Sequence, residues 1–175
     1  MSVVTEASTT ASPSRPGSLS AAIGLAVVTA MAAIVNGVII LAGGLDLVKE
    51  IGNELLAAEL GVGEAELAEV IDFDNPMVNA VFAEAASTYE TRAYLVLGAG
   101  VLLALFGVLM RKAGMAFRVL VTVIAAFTVL FAAVIGLDAG TTVMIGLAWA
   151  AVVGALATIV ATWLPANGRY AKSVR

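Results

Sequence analysis

Cysteine and histidine are both missing from this 175-residue chain. Without them there is no disulfide, no thiolate nucleophile, no cysteine-attached haem and no ordinary zinc site. Imidazole, the commonest group in general acid–base catalysis, is also gone. Charge is scarce, at 13% of residues against about 25% in a soluble domain. No basic stripe interleaved with aromatic residues is present, which argues against a nucleic-acid partner. The phosphate loop GxxxxGK[ST], the nucleophile elbow GxSxG and the metalloprotease HExxH do not occur. No Asn-x-Ser/Thr acceptor for glycosylation occurs either. Nothing in this inventory supplies a cofactor site, and the chain reads as non-enzymatic.

What is abundant is apolar residues. They make up 61% of the chain, and the mean hydropathy is +1.04. That exceeds what one globular core can bury and fits a polytopic membrane protein. The expected fold class is all-α: a four-helix transmembrane bundle. Its spans are expected at residues 19–45, 93–110, 116–137 and 143–164. Residues 19–45 carry no charge, and this run is too long for the roughly 7–15 apolar residues of a signal peptide. It is therefore read as an uncleaved span. Residues 1–18, rich in Ser, Thr, Ala and Pro, read as a disordered tail. Two short connections, 111–115 and 138–142, and a basic tail at 165–175 complete the layout.

Between the first two spans lies the one long polar stretch, residues 46–92. It holds eleven of the thirteen acids, opposed only by Lys49 and Arg92, for a formal charge of −9. Val48, Ile51, Leu55 and Leu56 recur at helical spacing. Gly61 and Gly63 end that helix. Asp74 or Asn75 can cap a second helix, with Pro76 at its first position. The stretch is expected to be a helical hairpin. The basic residues Arg15, Arg111, Lys112, Arg118, Arg169, Lys172 and Arg175 all fall at the opposite ends of the spans. By the positive-inside rule both termini are cytoplasmic and the acidic hairpin is extracytoplasmic. Arg118 at the edge of the third span is expected to snorkel to the interface. Trp163 and Tyr170 at one boundary, and Tyr89 and Tyr94 at the other, suit interfacial belts.

Three groups of residues are candidates for function. In the fourth span Gly146, Ala150, Gly154, Thr158 and Thr162 recur every four residues. This ridge of small side chains lets helices approach closely, within the chain or with another subunit. Asn36 is the most polar residue deep in a span. An amide in hydrocarbon needs a partner, either across helices or in a ligand. Glu64, Glu66, Glu69, Asp72 and Asp74 form an acidic surface on the hairpin that can dock a basic partner. The series Asp72-x-Asp74-Asn75 offers oxygen ligands, but the Gly and Glu that an EF-hand needs at its sixth and twelfth positions are Met77 and Ala83. Helix capping explains that cluster more simply. The acid pairs Glu50/Glu54 and Glu66/Glu69 lack the aromatic cleft of a glycosidase and read as solvated faces. No acid or base lies mid-span, which counts against proton-coupled or voltage-driven mechanisms. Asp138 sits where the chain turns, beside Ala139 and Gly140.

The terminal run Trp163-Leu164-Pro165-Ala166-Asn167-Gly168-Arg169-Tyr170, the Ala/Val/Gly-rich spans and the Ser/Thr/Pro tail give a layout that resembles the small four-span integral membrane proteins of actinobacterial type. The resemblance implies a bacterial plasma membrane and carries no activity or site residues with it. The function expected from all of this is an accessory or scaffold subunit of a larger membrane complex. Its partners would be the lipid bilayer and other membrane subunits, or further copies of itself. The alternative is an oligomeric channel or transporter for a cation or small solute, with Asn36 and the span threonines along its path. An enzyme acting on lipid is the weakest reading.

Overall fold

The computed structural model describes residues 14–63, 65–67, 72, 75–112 and 114–173. Every regular element in them is helical. α1 is Gly17–Leu60, α2 is Pro76–Leu109, α3 is Met115–Leu137, α4 is Thr142–Thr162 and α5 is Pro165–Ser173. A single 3-10 turn, Met110–Lys112, follows α2, and residues 65–67 are also helical. α1 to α4 are each long and apolar enough to cross a membrane. α1 packs on α2 and α4, and α3 packs on α4 and α2. The four therefore form a ring of neighbours with α1 and α3 on a diagonal.

The helix ends follow local chemistry. Pro16 stands before α1, where its lack of an N–H costs no hydrogen bond. Gly61 closes α1 in the left-handed region at φ 68°, and its N–H reaches Ala57 O. Asn75, rather than Asp74, caps α2. Its side-chain oxygen accepts from Met77 N at 2.9 Å, with Pro76 in the first helical position. Thr141 caps α4 through Met144 N at 3.4 Å. α4 ends before Pro165, which cannot donate back to the previous turn and so opens α5 instead.

α1 is not straight. At Gly44 the backbone leaves the helical region for φ 50°, ψ −134°. That conformation is costly for any residue with a Cβ. The bend falls at the end of the uncharged run, so the apolar arm 17–43 and the acidic arm 45–60 point in different directions. The expected tail 1–18 is described only from residue 14 onward. Residues 1–13 lie outside the described residues, and Gly17 and Ser18 already belong to α1. Ser18 is held there because its hydroxyl donates to Asn167 Oδ1 at 2.7 Å.

The core is built from small residues in alternating steps of three and four. On α2 the buried row is Ala93, Val96, Gly100, Leu103 and Gly107, continued by Met110 in the turn that follows. On α1 it is Leu19, Ala22, Ala26, Thr29, Ala33, Asn36 and Ile40. α3 contributes Arg118, Val121, Ala125, Thr128, Ala132 and Ile135, and α4 contributes Met144, Ala148, Ala151, Ala155, Thr158 and Thr162. A seven-residue repeat keeps one stripe against a neighbour along the helix. Lipid tails are as apolar as these side chains, so association comes from close contact rather than from expelling water. The contacts are close. A methyl group placed on Gly100 would meet Ala30 O at 3.1 Å, and one on Gly37 would meet Ala93 O at 3.0 Å.

Candidate functional site

The expected small-residue ridge of α4 is not one face. Steps of four residues turn roughly 40° each around a helix of 3.6 residues per turn. Accordingly Gly146 and Ala150 are exposed, Gly154 is half-buried, and Thr158 and Thr162 lie in the core. The row winds from the surface into the bundle. Its middle member makes the tightest contact, since a Cβ on Gly154 would sit 2.3 Å from the Thr29 hydroxyl oxygen. Thr158 and Thr162 return their hydroxyls to their own helix, to Gly154 O at 2.8 Å and Thr158 O at 2.7 Å.

Asn36 is fully buried inside one copy of the chain. Neither its amide nitrogen nor its amide oxygen has a hydrogen-bond partner among the described residues, and neither does the Thr29 hydroxyl one heptad earlier. The Asn36 side chain is closed off from the surface by its own bundle, so no second chain can reach it without the helices parting.

Of the acidic docking surface, Glu64, Glu69 and Asp74 lie outside the described residues. Glu66 and Asp72 are exposed, and Asp72 O accepts from Asn75 N at 3.1 Å. The flanking helices form a packed stem. Gly52 leaves the space into which the Phe82 ring fits, with a Cβ there only 2.4 Å from the ring edge. Val48, Ile51, Ala57, Leu67 and Ala86 in the same segments are buried.

The stem also carries a feature that charge counting does not reveal. Met77 is 79% exposed and Val81 66% exposed, one turn apart on α2, and Leu55 and Leu60 on α1 are more than half exposed. Glu50, Glu54, Glu59 and Glu84 are exposed on the same two helices. Met77 and Val81 lie past the α3–α4 turn, because that turn is tied to α2 at Tyr89 and Arg92. The 13 residues 76–88 therefore project about 20 Å beyond it at 1.5 Å per residue.

The tie is specific. The Tyr89 phenol donates to Ala139 O at 2.6 Å. Arg92 pairs with Asp138 and its guanidinium lies 5.7 Å from the Tyr89 ring centre. Asp138 also accepts from Ala139 N at 3.0 Å. Burial pushes the Tyr89 phenol above its ordinary pKa, and the Arg92 charge pulls it back by less. Asp138 thus shapes its own turn and holds it to α2.

At the opposite end Arg118 does not extend to the interface. It is buried, its Nε donates to Thr162 O at 3.1 Å, and its guanidinium stacks 4.6 Å from the Trp163 ring centre. Trp163 in turn donates to the Thr122 hydroxyl at 2.8 Å. Asn167 is buried and donates to Ala161 O at 2.8 Å while accepting from Ser18. Together these bonds fold α5 back under the bundle and against the start of α1. No family model matches the chain, and no curated protein or solved structure is detectably similar to it.

Proposed function

We propose that this chain is an accessory or scaffold subunit of a larger membrane complex. It crosses a bacterial plasma membrane four times, with both termini in the cytoplasm and the acidic stem outside. The observation that carries the reading is the stem itself. It is a packed helical pair, it projects past the α3–α4 turn, and it bears exposed Met77 and Val81 amid acids. An exposed apolar pair on a rigid support is a contact surface, and an acidic rim selects a basic partner and speeds its approach at low salt. The exposed Gly146 and Ala150 on α4 offer a second contact, within the membrane, for a helix of another subunit.

The chain is non-enzymatic in this reading. The channel alternative is supported less well, because Asn36, Thr29, Thr128 and Thr158 are enclosed in the packed core of one copy. Flux of a cation or small solute into liposomes holding the purified protein would revive it.

The test is a mild-detergent purification of the tagged protein alongside a Met77→Ser/Val81→Ser variant and a Glu50→Gln/Glu54→Gln variant. A stoichiometric partner that stays with the wild type and leaves both variants supports the proposal. A partner retained equally by all three, at any salt concentration, ends the docking role of the stem. Threading is tested with single cysteines in this cysteine-free chain. A cysteine replacing Glu66 should react with an impermeant reagent on intact cells, and one replacing Lys172 should not.

A further inference from the structure

The two ends of the bundle differ in how their charges are met. At the acidic end Arg92 has Asp138. At the other end Arg15, Arg111, Arg118, Arg169 and Lys172 gather with no carboxylate paired to any of them among the described residues. The acids of the described chain lie at 46–90 and at Asp138, a span's length away. Arg118 is buried and satisfied by a carbonyl and an indole. Arg169 is exposed on α5, and it lines a pocket of about 410 Å³ between α5 and residues 14–16.

The composition of this pocket is informative. Ser14, Arg169, Tyr170 and Ser173 supply polar groups, and Pro16 and Ala166 supply apolar walls. It is an open groove on the surface rather than an enclosed cavity. Arg169 and the Ser14 and Tyr170 hydroxyls are donors suited to phosphate oxygens. The Ser173 hydroxyl is already turned to Tyr170 O at 2.8 Å and offers its lone pairs instead. Asn167 on the same helix does not line the pocket, but it is fully buried and bonded both to Ala161 O and to Ser18, so α5 and the start of α1, which carry the lining residues, are held together. The pocket lies on α5, the short helix that directly follows the long apolar helix α4, so in a membrane it would stand at the headgroup level. Indole and phenol side chains favour that level of a bilayer.

We propose that this pocket binds the phosphodiester headgroup of an anionic phospholipid, with Arg169 as the principal ligand and the acyl chains lying along Leu164 and the lipid face of α4. The lipid supplies the negative charge that the chain lacks at this end. The inference needs only a membrane location and is independent of the subunit reading.

The test uses the full chain in a neutral detergent, titrated with phosphatidylglycerol or phosphatidylcholine and read by native mass spectrometry. One phosphatidylglycerol should bind per chain in preference to phosphatidylcholine. Arg169→Gln should weaken it by ~10-fold, the scale of one charge-assisted hydrogen bond. Lys172→Gln removes the same charge from the same helix outside the pocket, and should change binding by less than ~2-fold, as a solvated charge does. Equal losses in the two variants would mean diffuse attraction and overturn the site. Equal binding of the two lipids would overturn it as well. Sodium phosphate, compared with sodium chloride at equal ionic strength, should leave the lipid bound. Displacement by phosphate would make free phosphate the ligand and overturn the lipid assignment. Circular dichroism of both variants should match the wild type, and Arg169→Lys should recover part of the affinity.

Discussion

Replacing Gly44 with alanine isolates the backbone of the bend from any packing effect. A Cβ at Gly44 would meet nothing within 4 Å, so the whole cost lies in φ 50°, ψ −134°. A residue with a side chain held in such a sparsely populated region loses about 1–3 kcal/mol. The chain can pay that strain or relieve it by straightening α1, which would swing the arm 45–60 away from its contacts with α2. Those contacts include the Phe82 ring against Gly52. Two measurements separate the cases. Unfolding in graded dodecyl sulfate gives the stability change, and spin labels on introduced cysteines at Val35 and Ala58 give the distance across the bend. Gly24→Ala is the control, since that glycine is also open to space and is helical. The expected result is a loss of about 1–3 kcal/mol for Gly44→Ala, none for Gly24→Ala, and a broadened or shifted distance for Gly44→Ala alone. If both variants were equally stable and the distance stayed sharp and unchanged, the bend would not depend on glycine and the argument would fail.

Other substitutions test the core and the tie. Gly154→Ala places a methyl against the Thr29 hydroxyl oxygen and should destabilise by about 1–3 kcal/mol in the same assay; adding Thr29→Ala should recover most of the loss, whereas Gly146→Ala should be neutral. Asn36→Leu removes two buried polar atoms that lack partners, so stability should be unchanged or higher. A loss beyond ~1 kcal/mol in both Asn36→Leu and the smaller Asn36→Val would mean that the amide is bonded, because overpacking by the larger side chain would spare the smaller one. Asp138→Asn breaks a half-exposed ion pair and should cost no more than about 1 kcal/mol, with a double-mutant cycle against Arg92→Ala reading the coupling. The raised Tyr89 pKa means that the fold favours the neutral phenol. Its contribution is fully present below the ordinary tyrosine value of 10.0 and is lost as pH rises through the higher folded value. Tyr89→Phe should remove that part of the alkaline fall in stability, measured as the difference between the two pH profiles.

Much of this architecture can be read locally. Four runs are long and apolar enough to span a membrane. Asn75-Pro76, Gly61 and Pro165 mark helix ends through hydrogen bonds to backbone a few residues away, so short stretches of sequence are enough to place them. The separation of acids from bases along the chain is likewise a property of the string of residues. The candidate sites are less legible. A row at spacing four in α4 looked like one ridge, yet the core uses alternating threes and fours, because neighbouring helices stay in contact only along a seven-residue repeat. The same repeat is present in the other three helices and could have been counted. Glu66 and Asp72 are exposed, and so are Met77 and Val81, whose apolar side chains carry no mark in the sequence that sets them apart from core positions.

What the sequence determined by itself was the helical class, the count of helices able to span, the places where they stop, and the segregation of charge to opposite ends. Each of these is set by groups within a few residues of one another. The tertiary structure alone decided how each helix is rotated about its axis. That rotation put Asn36 inside rather than toward a partner, buried Arg118 under Trp163, and joined Arg92 to Asp138, 46 residues away. Rotation is a cooperative outcome of all the neighbours at once. A small side chain fits on several faces of an alanine-rich helix, so no local pattern singles one out until the partner helices are in place.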